Sequence, residues 1–138
     1  MTKCLALIIE EIEKQKTKEK QAALLKKYSS PALKAVVGYA LDPGVNWLLP
    51  KSDPPYKPLP ESAEQEGRLI ADTRLFIYFV DSPDGRKLTP LKREQMFIRL
   101  MESIDPRDAT LMIRVKNKAL KIKKEAVKIA FPKMSANW

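Results

Sequence analysis

The chain contains no histidine. That removes the side chain most often used as a general base near neutral pH and most often found on a metal. Cysteine is limited to Cys4, so neither an internal disulfide nor a thiolate metal site can form. Beside Leu5 and Leu7, Cys4 reads as a small buried residue, consistent with a reducing compartment. Glycine is scarce, four among 138 residues. None stands in the Gly-x-x-x-x-Gly-Lys spacing that cradles phosphate, and Ser82-Pro83-Asp84-Gly85-Arg86-Lys87 reads as a plain turn. Apolar runs such as Leu5 to Ile9 and Leu75 to Val80 fall far short of the ~20 residues that span a bilayer. Met1-Thr2-Lys3-Cys4 shows no signal-peptide core and no acceptor glycine for a myristoyl chain. Paired acids, Glu10-Glu11 and Glu64-Glu66, fall on expected exposed faces. Asp105 and Asp108 read as capping residues of one helix. The expectation is a non-enzymatic protein with no cofactor, no metal and no membrane partner.

Cations, by contrast, are abundant. There are 26 basic and 17 acidic residues, for a net charge of +9. They are unevenly spread: residues 61–84 carry a net −4 and residues 85–138 a net +9. The densest run is Arg114, Lys116, Lys118, Lys121, Lys123, Lys124 and Lys128, seven cations against the single acid Glu125. Val115, Leu120, Ile122, Ala126 and Val127 are threaded between them, so the run can fold and still present a positive face. Such a face attracts polyanions, because neutralised phosphates release counterions. Lysine outnumbers arginine six to one in this run. That suits charge matching to phosphate more than bidentate reading of bases, so weak sequence preference is expected.

The periodicity is helical almost throughout. Leu5, Ile8, Ile9 and Ile12 make an apolar stripe over residues 3–14, with Glu10, Glu11 and Glu13 outside. Thr17 caps a second helix with Ala22, Leu24 and Leu25 inward. Ser30-Pro31 opens a third, over 32–41, with Leu33, Val36, Val37 and Ala40 inward. Ser62-x-x-Gln65 reads as a capping box for a helix over 63–80. Thr89-Pro90 and Asp105-Pro106 open two more, and a last helix starts near Ile122 or Lys123 and stops at Phe131-Pro132. Residues 42–60 hold six of the eleven prolines. The apolar residues among them (Val45, Trp47, Leu48, Leu49, Tyr56) need burial, so an ordered extended loop is expected, with Trp47 and Tyr56 as anchors. Together these elements predict one all-α domain over 1–138, a bundle of about seven short helices.

Two sets of segments carry resemblances. Ser30-Pro31-Ala32-Leu33, Leu41-Asp42-Pro43, Trp47-Leu48-Leu49-Pro50, Pro54-Pro55-Tyr56-Lys57 and Asp105-Pro106-Arg107-Asp108-Ala109 resemble the pattern of a family of small, uncharacterised tailed-phage proteins. Ile8 to Ile12, Thr17 to Lys27, the Leu33–Leu41 helix and Asp108 to Leu120 with the ending Lys124 to Pro132 resemble, remotely, the N-terminal helical DNA-binding domain of ATP-dependent DNA ligases of tailed-phage type. That domain is all-helical and grips duplex DNA by its backbone across the minor groove. The resemblance implies phosphate contacts from Thr17, Lys18 and Lys20 at the start of the second helix. It also matches Arg114 and Lys118 to basic positions of the penultimate helix. Ligase domains continue with an Arg-Asp-Leu-like step and a glycine-containing turn. Here the step is Lys118-Ala119-Leu120, and Lys121, Lys123 and Lys124 occupy the turn. The nucleotidylated lysine of a ligase, in its Lys-x-Asp-Gly setting, is not in the sequence.

The nucleic-acid-binding residues expected are therefore Thr17, Lys18, Lys20, Arg114, Lys116, Lys118, Lys121, Lys123, Lys124 and Lys128. The expected partner is nucleic acid, duplex DNA foremost, in phage DNA metabolism in the cytoplasm of the infected host cell. The alternative is a module that binds a phage or host replication or transcription protein through the 42–60 loop, or a minor virion component.

Overall fold

The computed structural model describes residues 4–50, 52, 54–58 and 68–138. In chain order its elements are α1 (Leu5–Glu13), α2 (Lys18–Lys27), α3 (Pro31–Leu41), α4 (Arg68–Asp72), a 3₁₀ segment (Thr73–Phe79), α5 (Pro83–Arg86), α6 (Pro90–Ser103), α7 (Pro106–Lys116) and α8 (Lys124–Ala130). Among the described residues there is no β-strand, so the all-α expectation holds. No helix of the described residues is long and apolar enough to cross a membrane.

Local chemistry starts most of these helices. The side-chain oxygens of Thr17, Ser30, Ser82 and Thr89 each accept the amide N–H three residues on, at 3.0–3.2 Å. Proline follows the cap in α3, α5, α6 and α7, where its missing N–H costs nothing. The one-turn α5 stands where a plain turn was expected; Ser82 capping Gly85 N is what winds it. Gly85 could not be another residue there, because a Cβ would meet the Val80 carbonyl oxygen at 2.1 Å.

The expected stripes are buried: Leu5, Ile8, Ile9 and Ile12 of α1, and Leu33, Val36, Val37 and Ala40 of α3. They form one core with Leu25, Phe76, Phe97, Met101, Met112, Val115 and Val127. Each fully buried side chain of this size contributes roughly 1.5–3 kcal/mol. Leu24, expected inward, is only half-buried, and Gln21 takes its place in the interior.

The 63–80 helix is corrected in part. Its capping box lies outside the described residues. From Arg68 the chain is helical, but after Asp72 it tightens to 3₁₀ and ends at Phe79. The tighter winding eclipses residues three apart, which drives both Phe76 and Phe79 into the core. Val80 is then extended and bridges Trp47, with Leu48 N donating to Phe79 O (2.9 Å) and Asp81 N to Asn46 O (2.7 Å). This bridge anchors the start of the proline-rich loop. Trp47 packs edge-on to Tyr39 and tilted to Phe76, and its Nε1 donates to Tyr39 O at 2.9 Å.

Asp108 also differs from expectation. Asp105 caps α7, accepting from Arg107 N at 2.9 Å. Asp108 instead points across the molecule, and its Oδ1 accepts the N–H of Ala6 at 2.8 Å. It thus caps the first turn of α1, which has no side-chain cap of its own. The site is buried beside the Cys4 thiol, and among the described residues no N–H or O–H group donates to Asp108 Oδ2. Burial pushes the Asp108 carboxyl up to about 6 and the Cys4 thiol above its usual range.

Candidate nucleic-acid interface

α2 packs more extensively on α8 than any other pair of elements packs together. Gln21, in the first turns of α2 and 1% exposed, is the clip between them. Its Nε2 donates to Lys121 O (3.2 Å) and Gln15 O (3.3 Å), while its Oε1 accepts from Lys123 N (2.9 Å). Glu13, at the end of α1, adds a second clip. Its Oε2 accepts from Lys121 N at 2.6 Å and pairs with the Arg114 guanidinium. Glu13 was expected on the outside; its side chain is only 11% exposed because two partners from the far end of the chain enclose it.

These clips bring the start of α2 against the 117–123 segment and the start of α8. Thr17, Lys18 and Lys20 at the start of α2 and Lys121, Lys123 and Lys124 are all exposed, as are Glu19 and Glu125 among them. Lys128 is exposed on α8. Among the described residues, no carboxylate forms an ion pair with Lys18, Lys20, Lys121, Lys123, Lys124 or Lys128. The Thr17 hydroxyl is held by Lys20 N as the cap of α2.

Three expected residues are used differently. Arg114 is held by Glu13. Lys116 is only 5% exposed, and its Nζ donates to Pro50 O (2.8 Å), Ser52 O (3.4 Å) and Asn117 Oδ1 (2.8 Å). It fastens the proline-rich loop to the end of α7. Lys118 ends α7 in the left-handed region, φ 53°. Lys118 N bonds Val115 O (3.0 Å) and Ala119 N bonds Arg114 O (2.8 Å), the paired bonds of a Schellman stop, whose left-handed position is usually glycine. Its Nζ reaches Asp42 O at 2.6 Å. Burial pulls the Lys118 ammonium below the usual lysine range; Asp42 opposes that shift and the nearby charge of Lys124 adds to it.

Gln21 and Glu13 are the residues that sequence reasoning missed. Gln21 sits directly before the inward Ala22, on the buried face, where an amide must find partners. That placement was the one available signal. Among the described residues, no group of three or more Cys, Asp or Glu is arranged to hold a metal ion.

The fold is thus an all-helical bundle whose first two and last two helices are clipped together around a lysine-rich surface. Residues 8–122 match the family described as Family of unknown function (DUF6433), and the chain belongs to that family. No curated protein and no solved structure matches it.

Proposed function

We infer that this is a non-catalytic nucleic-acid-binding protein that grips duplex DNA by its backbone with weak sequence preference. The observation that supports it is the Gln21 clip. It brings the start of α2, with Lys18 and Lys20, against the 121–124 segment, whose exposed lysines form no ion pair among the described residues; the exposed acids Glu19 and Glu125 stand beside them. Phosphate is the ligand such a face suits, and the α2 N-terminus adds a helix dipole of the same sign. The resemblance to ligase DNA-binding domains points the same way, and that to tailed-phage proteins suggests phage DNA metabolism in the host cytoplasm as the setting.

The test is fluorescence polarisation of an end-labelled duplex across salt concentrations. Neutralising about four phosphates gives a slope of log affinity against log salt near −3.6. A flat profile overturns the reading.

A second reading, a protein-interaction module, draws on one feature. A cavity of about 210 Å³ lies between the proline-rich loop and α6, lined by Leu49, Pro50, Pro54, Pro55, Phe97 and Ile98 among others. A partner captured by the tagged protein and retained after nuclease treatment would favour it.

A further inference from the structure

A groove of about 430 Å³ lies between the start of the proline-rich loop and the end of α7. That volume is within the ~300–1,000 Å³ range of small-ligand sites. Trp47, Val45 and Leu49 give it apolar walls, and Asn46, Asn117 and Lys118 bring polar groups to it. Trp47 is half-buried, and neither of its aromatic neighbours stacks parallel to it; the interplanar angles are 66° and 55°. The Asn46 side chain makes no hydrogen bond among the described residues. Asn117 accepts from Lys116 with Oδ1, which leaves its NH₂ group available to donate. Lys118 gives one N–H to Asp42 O and retains two others. The Asp42 carboxylate is turned back onto its own Gly44 N at 2.8 Å. Both the Asp42 carboxylate and the Lys124 ammonium are close enough to Lys118 for their charges to act on it.

We propose that this groove takes one unpaired nucleotide of a bound nucleic acid. The base lies against Trp47, its hydrogen-bonding edge meets the amides of Asn46 and Asn117, and its phosphate sits at the Lys118 ammonium. The chemistry is that of single-stranded recognition elsewhere: an aromatic platform, side-chain amides that can donate and accept, and a cation at the backbone. A fully paired duplex has no base to offer the groove, whereas a bulge, a flap or a single-stranded end does. The proposal rests on the nucleic-acid reading above and adds to it a preference for unpaired bases.

The experiment uses the full chain carrying Trp138→Phe, so that Trp47 is the only tryptophan. Two labelled duplexes of equal length are titrated, one fully paired and one with a single bulged thymidine. Polarisation reports affinity and Trp47 emission reports stacking. The bulged duplex is expected to bind at least about fivefold tighter, in line with the smaller stacking effects, and to quench Trp47, while the paired duplex binds without quenching. Asn46→Ala, an exposed position, is expected to reduce the preference for the bulge while leaving paired-duplex affinity unchanged. Equal affinities with unaltered Trp47 emission overturn the groove proposal and leave the basic-face reading standing. Binding of neither duplex at any salt concentration overturns the basic-face reading and the groove with it.

Discussion

Among the described residues, Lys118 is the one non-glycine residue with a positive φ. A left-handed conformation costs a side-chain-bearing residue roughly 1–2 kcal/mol, and glycine would occupy it freely. Against that stands the Nζ bond to Asp42 O. For an exposed bond the strain outweighs the gain, so Lys118→Gly is expected to stabilise the fold by about 0.5–1 kcal/mol in urea denaturation. Lys118→Ala, which keeps the strain and loses the bond, should fall below wild type. A lower urea midpoint for the glycine variant would show that the side-chain bond wins.

Asp108 makes a pH-dependent contribution whose sign follows from its raised value. Its carboxyl titrates near 6 in the folded chain, against about 3.9 unfolded. Between those values the folded state binds the extra proton. The stability this contributes is therefore complete below about pH 4 and is lost as pH rises through 6. Two units correspond to about 3 kcal/mol as an upper figure. Asp108→Asn keeps an oxygen for Ala6 N and cannot ionise. Its stability relative to wild type is expected to rise by up to about 3 kcal/mol between pH 4 and 7. A pH-independent difference would refute the assignment.

At the scale of elements, the helix starts were legible because their signals are local. Thr17, Ser30-Pro31, Thr89-Pro90 and Asp105-Pro106 each satisfy an N–H within three residues, and each cap is present. The 3₁₀ tightening after Asp72 was not legible, since Leu69, Ile70, Thr73, Phe76, Ile77 and Val80 read as the stripe of one continuous helix. What decides it is the Trp47–Val80 bridge, a contact with a distant loop. The α2–α8 seam was equally hidden. A glutamine in an amphipathic pattern does not name its partners, and here they are backbone atoms 100 and 102 residues away. Removing that amide leaves Lys121 O and Lys123 N without partners, each costing about 1–3 kcal/mol. Gln21→Ala is thus expected to destabilise the chain by about 2–6 kcal/mol. Amide exchange should rise first over 121–130; a uniform rise along the chain would count against the clip.

For the whole molecule, the sequence revealed the amount of charge better than its arrangement. The basic run was plain, yet Arg114 and Lys116 serve the interior: one holds Glu13, the other the proline-rich loop. The exposed remainder can be tested as a unit. Replacing Lys121, Lys123 and Lys124 together with glutamate lowers the net charge of +9 by six units. All three side chains are exposed, and acids at the start of α8 suit its dipole, so the melting temperature should hold. Duplex affinity should collapse and its salt slope flatten. Unchanged affinity would place the contacts on another face.

The seam also sets a timetable for synthesis. Ala6, Glu13 and Gln21 find long-range partners at Asp108, Lys121 and Lys123. During synthesis α1 and α2 cannot complete these contacts until the segment through Lys123 has been translated. Long-range closure of this kind slows folding. The Ala6 amide and the Glu13 carboxylate wait for these partners, and the α2–α8 seam closes only once α8 has emerged.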